Sequence, residues 1–167
     1  MFWMTNVSLY GGQTWNRFSV MLGDEVSPVT NRSTNLSGSI NVNPIKFMSA
    51  ELGSSITMNW QDRMMIASGQ TSFRNYSHRV RLFFFSGHWQ LSLKTEYAYS
   101  NDERQSSNLF GDASVMFRTK KLDAVVSLNN IFGTYEQRRR TITELAEYYS
   151  IRYMRPRELL FKMSFNL

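Results

Sequence analysis

Two histidines, His78 and His88, are the only imidazoles in this 167-residue chain, and it has no cysteine. The lack of cysteine removes disulfide scaffolds, thiolate metal sites and thiol nucleophiles together. Covalent catalysis needs a nucleophile, a base and an orienting group within hydrogen-bond reach. Both histidines fall near or on the outward faces at the ends of alternating runs, and no Gly-x-Ser-x-Gly element is present. No carboxylate spacing beside either histidine suits a metal site. The expectation is a chain that is not an enzyme and holds no metal or cofactor.

The charged side chains form two other constellations. Arg138, Arg139 and Arg140 lie together in the longest irregular segment, followed by Glu144, Glu147, Tyr148 and Tyr149. Arginine forks match carboxylate and phosphate, so this group suits a surface patch for an anionic ligand or lipid headgroups. The plainer expectation is a solvated loop that pairs its own Arg and Glu. The second constellation is Arg79, Arg81, Lys94, Glu96, Asp112, Arg118 and Asp123, which all share one phase of their alternating runs. They are expected to line the interior of a barrel, as a charge ladder between strands and as a lining for a plug or a passing solute.

The elements that must position these groups read as strands. From Leu159 to Leu167 the chain alternates without a break: Leu159, Phe161, Met163, Phe165 and Leu167 share one face, against Leu160, Lys162, Ser164 and Asn166 on the other. Eight earlier runs follow the same pattern. They cover Phe2–Tyr10, Thr14–Leu22, Thr34–Asn43, Phe47–Trp60, Thr71–Phe85, Trp89–Tyr99, Ser107–Arg118 and Leu122–Phe132. Gly11-Gly12, Asn43-Pro44, Ser86-Gly87 and Thr119–Lys121 read as tight turns. Asp24–Ser33 and Asn101–Ser106 read as polar loops, and Gly133–Tyr149 as a long segment with a helical turn or two over Thr141–Tyr149. This makes nine strands, or ten if Tyr148–Tyr153 forms its own.

The runs mostly exceed the ~9–11 residues a tilted strand needs to cross a bilayer, and no segment approaches the ~18 apolar residues of a membrane helix. Trp3, Trp60, Trp89, Tyr97 and Tyr99 lie near run ends on outward faces, as the aromatic girdles of an outer-membrane barrel do. A soluble β-sandwich would also alternate, but with its polar face outward. The net charge of +6 comes without Lys and Arg grouped among aromatics as in a nucleic-acid module, so no nucleic-acid partner is expected. The expected fold is all-β: residues 1–167 form one antiparallel up-and-down transmembrane β-barrel segment of about nine or ten strands, without a plug. The N-terminus MFWMTNVSLY lacks the features of a signal peptide. With an odd strand count, this favours a portion of a larger barrel.

At the C-terminal end the residues resemble a family. LDAVVSLNNIFG over Leu122–Gly133, a long segment, and YMRPRELLFKMSFNL over Tyr153–Leu167 look like the end of a TonB-dependent receptor. The likeness is narrower to the large outer-membrane barrels of Bacteroidota with a carboxypeptidase-regulatory-like N-terminal domain. It rests on Asn130-Ile131-Phe132, which closes the penultimate strand in that family, and on Arg155-Pro156-Arg157, which opens the last. The last strand there closes on Phe; here Leu167 stands in that place, after Phe161, Met163 and Phe165. The resemblance implies a location in the cell outer membrane and import of a nutrient ligand into the periplasm. Its implied partners are outer-membrane lipid, the barrel-assembly machinery, a plug domain, the TonB complex and a surface lipoprotein. The alternative from another class is a complete small outer-membrane barrel with a structural or adhesion role.

Overall fold

The computed structural model describes residues 4–22, 24–63, 70–102, 105, 107–142 and 147–165. It contains ten strands and no helix among them: β1 (Met4–Leu22), β2 (Glu25–Ile45), β3 (Met48–Arg63), β4 (Gln70–Ser86), β5 (Trp89–Ser100), β6 (Asn108–Arg118), β7 (Leu122–Asn129), β8 (Glu136–Ile142), β9 (Glu147–Tyr153) and β10 (Glu158–Phe165). Eight of them form one antiparallel sheet in the order β1-β2-β3-β4-β5-β6-β7-β10, and β8-β9 pair separately as a hairpin. The sheet is an up-and-down meander, interrupted once where the β8-β9 excursion leaves between β7 and β10. β1 and β10 are its two edges and are not paired with each other.

The expected runs from Phe47 to Phe132 and the final strand correspond to β3–β7 and β10. The N-terminal third differs. Gly11-Gly12 is not a turn: β1 runs straight through it, with Gly11 opposite Leu36 and Gly12 opposite Asn35. Each glycine lies close to a neighbouring side chain. A Cβ on Gly11 would meet the Leu36 side chain at 3.1 Å, and one on Gly12 the Tyr10 hydroxyl at 3.2 Å. Asp24–Ser33 is not a loop either, because β2 begins at Glu25 and pairs with β1 from its first residue. Asn43-Pro44 sits inside β2 at a register shift between Val42 and Ile45. Proline has no N–H to give the ladder, so a bulge accommodates it. The turn itself is Lys46-Phe47. Of the expected helical turn over Thr141–Tyr149, the described ends belong to β8 and β9 instead, and residues 143–146, Glu144 among them, lie outside the described residues.

Register gives the sheet two unlike faces. One row across it runs Asn41, Glu51, Arg81, Lys94, Asp112. Its neighbours run Ser39, Gly53, Arg79, Glu96, Phe110 and Ser37, Ser55, Ser77, Ala98, Asn108. The opposite face carries rows such as Val42, Ala50, Leu82, Leu93, Ala113, Leu128. Among the described residues that apolar face is largely uncovered, Phe132 against Gly111 aside. Leu9 is 85% exposed, and Leu159 and Phe165 are 73% and 68% exposed. Among the described residues only Val29 and Phe73 are buried hydrophobics, and both belong to the polar face.

The chain's lack of cysteine gives a direct test of the N-terminal correction. Thr14 pairs with Ser33, so Thr14→Cys with Ser33→Cys is expected to form an intramolecular disulfide on oxidation of the folded chain. A two-residue turn at Gly11-Gly12 would instead bring Leu9 to Thr14. Within one extended strand those residues are roughly 16 Å apart, too far for a disulfide. Leu9→Cys with Thr14→Cys is therefore expected to stay reduced, read by non-reducing electrophoresis.

Candidate functional site

The polar face and the β8-β9 hairpin that lies over it bring most of the charged residues together. All seven residues expected to share a face do so: Arg79, Arg81, Lys94, Glu96, Asp112, Arg118 and Asp123. Cross-strand pairs account for most of them. Arg81 donates both to Oε1 and to Oε2 of Glu51, at 3.3 and 3.0 Å. Arg79 Nε approaches Glu96 Oε2 at 3.6 Å, and the Ser77 hydroxyl donates to Glu96 Oε1 at 3.1 Å. Arg118 donates to Asp123 at 3.2 Å.

The tri-arginine segment is strand β8, not a loop. It runs antiparallel to β9, with Arg138 opposite Ile151, Arg139 opposite Ser150 and Arg140 opposite Tyr149. Alternation then divides the three arginines. Arg138 pairs with Glu136 on its own strand at 2.7 Å. Arg140 reaches the sheet: it pairs with Asp102 at 2.8 Å, with side chains 10% and 9% exposed. Its guanidinium also lies over the rings of Phe73 and Tyr149, at 5.5 and 5.9 Å from their centroids. A cation held between a carboxylate and two aromatic faces is a tight anchor. Tyr148 and Tyr149 remain about half exposed.

The base of the excursion is organised by Asn130, which sits at φ 52°. Asparagine is among the few residues that tolerate this left-handed conformation. Its side-chain amide donates to the carbonyls of Thr134 and Arg155 at 2.9 and 2.8 Å, while its Oδ1 accepts from Thr134 N–H at 3.0 Å. One side chain thus ties the start of the excursion to its end. Asp112 accepts from Asn130 N–H at 3.0 Å, and Met154 N–H donates to the Tyr135 carbonyl at 2.8 Å. Phe132 lies against the bare backbone of Gly111, where a Cβ would collide with the ring.

Between hairpin and sheet lies a cavity of about 570 Å³, bordered by Lys94, Glu96, Asp112, Arg139, Arg152, Arg155 and Glu158 among others. A smaller one of about 290 Å³ lies under Arg138–Arg140, against Ser77, Ala98 and Asn108.

The histidines sit on the opposite side. His78 lies on the apolar face, its Nδ1 3.0 Å from the Ser54 hydroxyl and its ring stacked on Tyr99. This Ser-His contact depends on the β3-β4 register and has no local sequence signal. It lacks the third member of a catalytic unit: among the described residues no carboxylate bonds to His78. His88 is in the β4-β5 turn, edge-on to Phe117. No group of three or more His, Asp or Glu able to hold a metal occurs among the described residues. Of the C-terminal residues singled out from sequence, Phe161, Met163 and Phe165 are exposed on the apolar face of β10. Leu167 and Trp3 lie outside the described residues. No known protein family, characterised protein or solved structure matches this chain.

Two substitutions test the hairpin base. Gly111→Ala should cost about 1–3 kcal/mol by overpacking against Phe132, with the loss largely recovered by adding Phe132→Ala. Equilibrium unfolding in urea measures both. Asn130→Ala should raise amide hydrogen exchange across residues 136–142 and 147–153 while leaving β3–β6 protected.

Proposed function

We propose that this chain is a wall segment of an outer-membrane β-barrel of the TonB-dependent receptor type, contributing to import of a nutrient ligand. The observation that carries the barrel reading is the largely uncovered apolar face of a long antiparallel sheet whose other face holds most of the charges, Arg32 and Arg74 near one end of the apolar face being exceptions. A soluble protein of this size would bury that face; a barrel wall turns it to lipid.

The face is also banded. At one end lie Trp15, Trp60, Tyr76, Tyr97 and Tyr99, with Tyr76 and Tyr99 stacked at 4.6 Å. At the other end lie Trp89 and Phe117, with ring centroids 4.8 Å apart, together with Phe84. From Trp89 to Tyr99 is about 34 Å along β5 at ~3.4 Å per residue. A tilt of ~40° reduces that to roughly 26 Å, against a lipid-facing band about 25 Å tall in known barrels. The connections also sort by end. The turns after β2, β4 and β6 are two or three residues long; at the other end the connection after β1 is also only two residues, whereas those after β3, β5 and β7 are longer, and the last carries the whole β8-β9 excursion.

The receptor assignment rests on the resemblance at Asn130–Phe132 and Arg155–Arg157, the two points where the excursion leaves and rejoins the sheet. In this role the chain supplies the wall and part of the ligand vestibule. A plug, the TonB complex, the assembly machinery and a surface lipoprotein would act with it. The eight-stranded sheet also suits a complete small barrel with a structural role. Against that, β10 has 8 residues to offer a 19-residue β1, and two unpaired edges suit insertion between further strands.

Insertion energetics test the barrel reading. Leu93→Arg places a cation in the middle of the apolar face and should lower folding stability in lipid bilayers by about 2–4 kcal/mol. Ser92→Arg, one residue away on the polar face, should change it little. Reversible unfolding from liposomes is the measurement; equal tolerance of both substitutions contradicts a lipid-facing wall.

A further inference from the structure

The cavity between the hairpin and β5–β7 has an unbalanced lining. Its three carboxylates are half-buried and already engaged. Glu96 accepts from Ser77 and faces Arg79, Asp112 accepts from the Asn130 N–H, and Glu158 faces Arg155 at 4.0 Å. Three cations lining the same cavity are exposed and have no ion pair among the described residues: Lys94 on β5, Arg139 on β8 and Arg152 on β9. Register brings the last two close, because Arg152 pairs with Gln137 and Arg139 is its diagonal neighbour, roughly 7–8 Å away. Lys94 approaches from the sheet beneath.

We propose that this cavity is a binding site for a solute carrying several carboxylates. Two guanidinium forks and one ammonium, set on opposite walls, match carboxylates spaced along one molecule. About 570 Å³ lies in the range of small-molecule pockets. The site spans the hairpin and the sheet, so the solute would bridge them and add to the Arg140–Asp102 anchor. The proposal names a ligand class for the transport function and rests on that reading for its purpose, but the cavity can be tested independently of the membrane.

The test uses the whole chain folded in detergent micelles, with strand content checked by circular dichroism and citrate as the probe in isothermal titration. Citrate is expected to bind, and the double variant Arg139→Gln with Arg152→Gln to weaken it by at least about tenfold per lost fork. Both side chains project from the hairpin outside the eight-stranded sheet, so the sheet should fold normally. Lys120→Gln with Lys121→Gln, in the β6-β7 turn at the far end, should bind as the parent does. Inorganic phosphate at equal ionic strength should bind more weakly, since it can bridge the two arginines but is too short to reach Lys94 on the facing sheet as well. Absence of citrate binding, an unchanged affinity in the arginine variant, or equal affinity for phosphate overturns the proposal. Failure of the same chain to insert into liposomes would count against the barrel reading alone.

Discussion

The structure depends on one constraint: antiparallel register, held across eight strands, sends every second side chain to the same face. A slip of one residue in any strand would carry its charges onto the apolar face. The cross-strand pairs oppose such a slip. Glu51 and Arg81, Glu96 and Arg79, and Asp123 and Arg118 each meet only in the observed register. Each pair is partly exposed and contributes little stability by itself. Their greater effect is to make the alternative registers costly, because a shifted strand would leave charges facing apolar neighbours. Buried hydrophobic area contributes unusually little among the described residues, with Val29 and Phe73 its only fully enclosed side chains.

The β8-β9 excursion adds a second level of organisation. It is tied at its base by Asn130, which bonds both to Thr134 and to Arg155, and at its far end by Arg140 against Asp102 and Phe73. Two separated attachments hold a short hairpin over the polar face, where an isolated pair of strands would be marginal in water. The space left beneath becomes a polar cavity lined from two sides. Gly111 admits the Phe132 ring and so sets how closely the junction sits on β6.

Strands β3 to β7 and β10 were legible in the sequence because their two faces differ, and the period-two pattern records that difference directly. The N-terminal third was not, for a physical reason. Beyond the row of Trp15, Arg32 and Trp60 the two faces of β2 stop differing, with Val26, Pro28 and Thr30 on one and Ser27, Val29 and Asn31 on the other. Alternation then carries no signal, and the end of β2 reads as a loop. Gly11 and Gly12 mislead in another way: the pair most often marks a turn, whereas here both lie within β1, opposite Leu36 and Asn35. Half of the hairpin was legible, since β9 matches the separate tenth strand expected over Tyr148–Tyr153; β8 was not, because Gln137–Thr141 has no apolar phase. The charged face was legible residue by residue, but its partners were not. The Arg140–Asp102 and Ser54–His78 contacts join residues 38 and 24 positions apart, a separation only the fold can close.

The central claim is that the two faces of this sheet meet different solvents. The most direct measurement places single nitroxide labels in turn at residues 90 to 97 of β5, in the chain folded into liposomes, and compares collisions with oxygen and with a water-soluble nickel chelate. The account requires a period of two: Leu91, Leu93, Thr95 and Tyr97 favour oxygen, while Gln90, Ser92, Lys94 and Glu96 favour the chelate, the two profiles running in opposite phase. Profiles in phase, or chelate access at every position, would mean that the apolar face does not meet lipid.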